Sequence, residues 1–222
     1  MKREGTLLDI SDGKLYDSNH MARIGCEDCK GCSACCKGMG ESLILDPYDI
    51  YQITNGLGIS FMELLQGRME LNMVDGVILP NMTMKGEQEA CGFLDERGRC
   101  SIHAIRPGIC RLFPLGRYYE NGDFRYFIQK DQCKKENHSK VKIKSFLGIE
   151  NLKAYEAFVK DWHAYLKEQE VAVKNALNAG EDEKMKKLTM EVLQVFYMTP
   201  YTKDDFYQQY HERRKAKLSP VV

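Results

Sequence analysis

The chain is predicted to be α+β. A small loop-rich cysteine-cluster domain, with short helices and hairpins organised by metal, is expected over residues 1–148, followed by a helical C-terminal appendage over 149–222. Three observations predict this. Five of the nine cysteines crowd into Cys26–Cys36 and none follows Cys133. Asn121-Gly122, the strongest short hairpin signal, sits between Arg117–Glu120 and Phe124–Phe127. From about Ile149, apolar residues recur at intervals of three and four, the spacing of amphipathic helices.

In chain order, Leu7–Ile10 and Lys14–Tyr16 flank Asp12-Gly13 and read as a short hairpin. The Gly- and Ser-rich run Cys26–Cys36 reads as a loop wrapped around something. Asp46-Pro47 has the form of a helix start, with Asp as N-cap and Pro at the first helical position, and Ile50, Ile53 and Leu57 are expected to face inward. Ser60–Glu63 is a capping box that opens a second short helix through Leu65. Val74–Leu79 and Asn81–Met84 read as strands broken by Pro80. Cys91–Cys110, punctuated by Gly98, Pro107 and Gly108, is expected to be mostly loop. Leu152, Tyr155, Phe158, Val159, Trp162, Tyr165 and Leu166 form the stripe of a long helix ending near Asn178–Gly180. Met185 to Phe196 mark a second helix stopped by Pro200, and Thr202–Asp205 caps a third. The basic stretch Arg213–Lys217 reads as a solvated helix end.

Lys plus Arg and Asp plus Glu each number 32, so a neutral chain gives no reason to expect a nucleic-acid or anionic-membrane partner. No apolar run reaches the roughly 20 residues that span a bilayer. Met1–Gly5 is positively charged with no apolar stretch behind it, so no secretory signal is expected and the cytoplasm is the expected location. Thiols there are kept reduced, which makes a cysteine cluster a metal site rather than a disulfide framework.

The first cluster, Cys26, Cys29, Cys32, Cys35 and Cys36, places thiols every third residue up to an adjacent pair. A two-residue gap lets a loop turn its sulfurs onto one centre, as ferredoxin-type loops do. One such loop seldom closes a site, so further ligands are expected from Cys91, Cys100, Cys110 and Cys133, and their convergence would couple metal binding to folding. Cys35 and Cys36, being neighbours, are expected to point apart, so that they serve two centres or one is a spectator. Structural zinc usually takes two separated Cys-x-x-Cys knuckles, and only the first region has such pairs. An iron–sulfur cluster is therefore favoured over zinc, with one centre or two left open. Arg106 and Arg111 flank the Pro107–Cys110 turn and are candidates for stabilising a negatively charged cluster from just outside its ligands. His103 reads as structural. The radical-SAM spacing and a glycine-rich nucleotide loop are both missing, so the residues point to metal and to no reaction.

Cys29-x-x-Cys32-x-x-Cys35-Cys36, Cys91-Gly92-Phe93-Leu94 and Cys100-Ser-Ile-His103-Ala-Ile-Arg106-Pro107-Gly-Ile-Cys110-Arg111-Leu-Phe-Pro114 together resemble the YkgJ-type cysteine-cluster family, over roughly Cys26 to Cys133. Asp46-Pro47-Tyr48-Asp49-Ile50 resembles the family's segment after the double cysteine. The family is described as zinc- or iron-chelating, and its domain also occurs in flagellin N-methylases. The resemblance implies a metal-binding set of Cys29, Cys32, Cys35, Cys36, Cys91, Cys100, Cys110 and Cys133, with Cys26 outside the pattern. Three functions follow, in order of expectation. The first is a 4Fe–4S protein with a redox or protein-modifying role. The second is a zinc-stabilised interaction module whose helical extension binds a protein partner. The third is a flagellin-type lysine N-methylase.

Overall fold

A computed structural model of the chain describes residues 7–29 and 32–218. The segment Met1–Gly5, read above for targeting, lies outside the described residues. Among the described residues, eight α-helices and eight strands alternate with short 3-10 turns, and the strands form four two-stranded antiparallel pairs. An α+β layout of small hairpins and C-terminal helices is thus what the chain adopts.

The N-terminal hairpin is not formed. Leu7–Ile10 is instead a single helical turn, α1, and the segment after it pairs far along the chain, with Ser11 bridging Gln129 and Tyr16 bridging Tyr126. Local turn chemistry at Asp12-Gly13 loses to a ready-made strand edge. The next strand, β1 (Met21–Gly25), leads straight into Cys26. The helix α2 (Pro47–Leu57) starts as its sequence dictates: Asp46 accepts from the Asp49 N–H at 2.9 Å, and the Asp49 carboxylate accepts from the Asp46 N–H at 3.0 Å. Ile50 and Ile53 are buried, whereas Leu57, in the last turn, is exposed. Ser60 and Glu63 form the reciprocal box that opens α3 (Phe61–Leu64).

Pro80 breaks nothing. It lies within β3 (Val77–Met82), which pairs with β2 (Met69–Val74) across the turn Asp75-Gly76. Counting from the closing pair Val74–Val77, Leu71–Pro80 falls at a non-hydrogen-bonded position, where the missing N–H faces away from the partner strand. The Pro80 carbonyl accepts instead from the Leu45 N–H at 2.9 Å. A two-residue ribbon follows, β4 (Met84–Lys85) with β5 (Ala90–Cys91). Next comes the short helix α4 (Gly108–Leu112), which carries Cys110 where loop was expected. Asn121 and Gly122, both at positive φ, close the hairpin β6 (Leu115–Glu120) and β7 (Asp123–Ile128). Strand β8 (Ser139–Lys142) returns to pair with β1, and α5 (Ile143–Leu147) follows it.

The C-terminal helices are α6 (Leu152–Asn178), α7 (Asp182–Leu193), which runs into a π-helical turn at Gln194–Met198, and α8 (Phe206–Leu218). Their apolar faces meet in an aromatic core. Phe158 touches Phe206 and Tyr210 edge-on at 5.2 and 4.8 Å, and Trp162 meets Phe196 at 5.2 Å. Tyr48 of α2 joins them, 5.0 Å from Phe206 and 5.4 Å from Tyr155. One hydrophobic cluster contains residues from β1 through α8. The basic stretch Arg213–Lys217 is solvated at Lys215 and Lys217 but not at its two arginines. Arg213 donates to the Val195, Thr199 and Pro200 carbonyls and covers the Tyr201 ring, while Arg214 is buried against Glu168 and Tyr165.

Candidate metal centre

The first cysteine loop is a staircase of three-residue turns. The Cys29 N–H donates to the Cys26 carbonyl at 3.1 Å, that of Cys32 to Cys29 at 2.9 Å, and that of Cys36 to Ser33 at 3.0 Å. Bonds spanning three residues eclipse side chains three apart, so the Cys-x-x-Cys spacing stacks thiols on one side. Cys26 Sγ and Cys29 Sγ are 3.6 Å apart, and Cys29 itself takes a positive φ of 57°.

Long-range pairing brings the second group to this loop. Lys37 bridges Ala90, and the Gly38 N–H donates to the Glu89 carbonyl at 3.0 Å, which sets the end of the first loop beside β5 and Cys91. Cys100 bridges Leu94. Cys110 is placed by α4, whose first N–H, that of Gly108, donates to the buried Asp49 carboxylate at 2.6 Å. Only glycine fits there, because a Cβ would lie 1.9 Å from the Tyr155 hydroxyl. The β1–β8 pairing, with Gly25 opposite Ser139, draws Cys133 towards Cys26.

The result is a cavity of about 1310 Å³ lined by seven thiols, those of Cys29, Cys32, Cys35, Cys36, Cys91, Cys100 and Cys110. Cys133 lies outside that lining but close enough to Cys26, Cys35 and Cys32 for their charges to raise its pKa, after burial. All nine cysteines are free thiols. Within the 3-10 turn Ala34–Cys36 the neighbouring thiols act on one another, Cys36 lowering the pKa of Cys35 and Cys35 raising that of Cys36. Among the described residues, no three histidine, cysteine or acidic side chains stand in position to grip one ion. The thiols converge on a volume rather than on a point.

The electrostatics of this volume favour a cation. Burial pushes the thiols of Cys91, Cys100 and Cys110 up, and that of Cys29 to about 12. Cys35 alone falls, to about 7, because the Cys36 thiol donates to it and Arg106 lies near. Thiolates crowded in a poorly hydrated space repel one another, and a bound metal cation reverses that penalty. The donor set therefore fits a thiophilic metal or cluster.

The two arginines differ. Arg106 lines the cavity, and its charge acts on Cys29, Cys35 and Cys100. It also holds His103, with Nη1 3.1 Å from Nδ1 and donating to the His103 carbonyl at 2.8 Å. Arg111 turns away from the sulfurs and braces the backbone, its Nε donating to the Arg106 carbonyl at 3.1 Å. Sequence reasoning missed Asp49, whose signal was the Asp46-x-x-Asp49 capping box. It also missed Arg117, Tyr119 and His163, which line the cavity from β6 and α6 and carry no local signature.

The model of the family CxxCxxCC, described as "Putative zinc- or iron-chelating domain", matches residues 28–139. No curated protein and no solved structure matches the chain. No helix among the described residues is long and apolar enough to cross a membrane.

Proposed function

The chain belongs to the CxxCxxCC family of zinc- or iron-chelating domains, and on that premise we propose that its thiols hold iron as a 4Fe–4S cluster serving a redox role. The ligands in this reading are drawn from Cys29, Cys32, Cys35, Cys36, Cys91, Cys100, Cys110 and Cys133. The observation that carries it is the convergence of seven thiols from two distant segments on one cavity. A tetrahedral zinc ion is satisfied by four ligands, so this many thiols around a broad space favours a polynuclear centre or a pair of centres.

When bound, such a centre supplies one-electron redox chemistry at a potential set by charge, hydrogen bonds and solvent access. The protein's own residues supply the setting. Arg106 places positive charge beside Cys29, Cys35 and Cys100. Arg111 fixes the turn that carries Arg106, and Asp49 anchors the helix that presents Cys110. The apolar lining contributed by Leu112, Leu115 and Met82 limits water.

Anaerobically purified protein should be brown and contain iron with acid-labile sulfide. Cys32→Ser and Cys110→Ser should each lower both contents. Colourless protein with stoichiometric zinc, and no sulfide after reconstitution with iron and sulfide, would overturn the proposal in favour of a zinc-stabilised module.

A further inference from the structure

The cavity is larger than a metal centre needs. At about 1310 Å³ it exceeds the usual range for small-molecule pockets, about 300–1,000 Å³. Beyond the thiols its walls are mixed, with an apolar stretch formed by Leu79 and Met82 of β3, Leu115 of β6, Phe127 of β7 and Leu166 of α6. Protein interiors are close-packed and tolerate few voids wider than a water molecule. A cleft of this size with an apolar stretch along its wall is a place for a ligand.

Several charged side chains line it, Arg97, Arg99, Arg106 and Lys167 among them. Arg117 of β6 also lines it and differs from these in carrying a buried nitrogen, Nε, that lacks a hydrogen-bond partner. Its Nη2 donates to the Tyr155 hydroxyl at 3.1 Å, and the guanidinium lies 5.5 and 5.6 Å from the Phe124 and Tyr155 ring centres. The two acids whose field reaches it, Asp46 and Asp49, are already engaged by backbone N–H groups in the α2 capping box and at Gly108. Neither forms an ion pair with it among the described residues. A guanidinium always carries its charge and matches a carboxylate in geometry. Here it stands on β6, the strand that also gives Leu115 to the apolar stretch of the wall.

We propose that the chamber beside the cysteine cluster binds an organic carboxylate, with the carboxylate on Arg117 and an apolar body against Leu79, Leu115, Phe127 and Leu166. The thiol-lined end would then face the ligand's far end, so that a bound metal centre and the ligand share one cavity. The site is built from β3, β6, β7 and α6 and does not depend on which metal the thiols hold.

The test measures binding of decanoate and of the uncharged decanol to the full chain by isothermal titration, on metal-loaded and metal-free protein. Decanoate should bind about tenfold or more tightly than decanol, as expected for one charge-assisted contact. Arg117→Gln should abolish that preference while decanol still binds. Leu166→Trp, which fills the chamber from its partly buried wall, should weaken both ligands. Equal affinity of the wild-type chain for the two ligands, or no saturable binding of either, overturns the proposal, as does an Arg117→Gln protein that keeps the preference. The wild-type comparison decides even where a variant fails to fold. Decanoate binding to a protein without iron would separate this site from the reading of the metal.

Discussion

Replacing Gly108 by alanine tests the packing that positions Cys110. A Cβ at this position would lie 1.9 Å from the Tyr155 hydroxyl oxygen and 3.0 Å from Cζ. Ordinary contact begins near 3.4 Å, so one partner must yield by about 1.5 Å. Tyr155 has little room, being 1% exposed and hydrogen-bonded to Arg117. Overpacking a rigid site costs about 1–3 kcal/mol, and displacing the hydroxyl from Arg117 adds about 1–2 kcal/mol. Against this, alanine stiffens the unfolded chain and favours helix by roughly 1 kcal/mol. The net expectation is a loss of about 2 kcal/mol, or about 4–8 °C in Tm for a chain of this size. Tyr155→Phe removes the clashing oxygen and one hydrogen bond, so it should cost about 1 kcal/mol alone. In the double variant the two losses should fall short of their sum by at least about 1 kcal/mol, the coupling expected of residues in contact. Urea denaturation of the wild type, both single variants and the double variant under identical metal loading gives all four values. A neutral Gly108→Ala, or strictly additive losses, would refute the claim that Tyr155 and Gly108 set the position of α4.

His163 stacks on Tyr119 at 3.7 Å between ring centres, and burial, with Lys167 nearby, holds its pKa below the ordinary 6.5. Its folded form resists protonation, so its contribution to stability is present above pH 6.5 and is lost as the pH falls through the folded pKa. The difference in Tm between wild type and His163→Gln should therefore shrink on acidification through that window, and a constant difference would contradict this. Tyr197→Phe leaves the fully buried Leu45 carbonyl without the hydroxyl that donates to it at 2.9 Å, and should cost about 1–3 kcal/mol in chemical denaturation. Removing metal with a chelator should raise hydrogen exchange across residues 26–36 and 91–112 far more than across α6. The loops lose their centre, while α6 keeps its aromatic contacts. Uniform deprotection along the chain would contradict a locally organising metal.

Much of this protein is written locally in its sequence. The Asp46 and Ser60 caps, the Asn121-Gly122 turn and the stripe from Tyr155 to Tyr165 each act over a few residues, so spacing alone placed α2, α3, the β6–β7 hairpin and α6. The three-residue cysteine rhythm likewise matches a succession of three-residue turns. What spacing cannot express is which distant edge a segment meets. Ser11 and Tyr16 pair with β7 and its end rather than with each other, and β1 finds β8 more than a hundred residues away. Pro80 is harmless because of register, a property of two strands and not of one. Only the assembled fold decided that Cys36 and Cys110 line one cavity, that Arg111 braces backbone while Arg106 lies near the sulfurs, and that Arg117 lines the same cavity. Hydrogen-bonded caps and turns are short-range, and one chain segment suffices to specify them. A shared cavity is a meeting of surfaces, and it exists only once hydrophobic burial has fixed every wall at once.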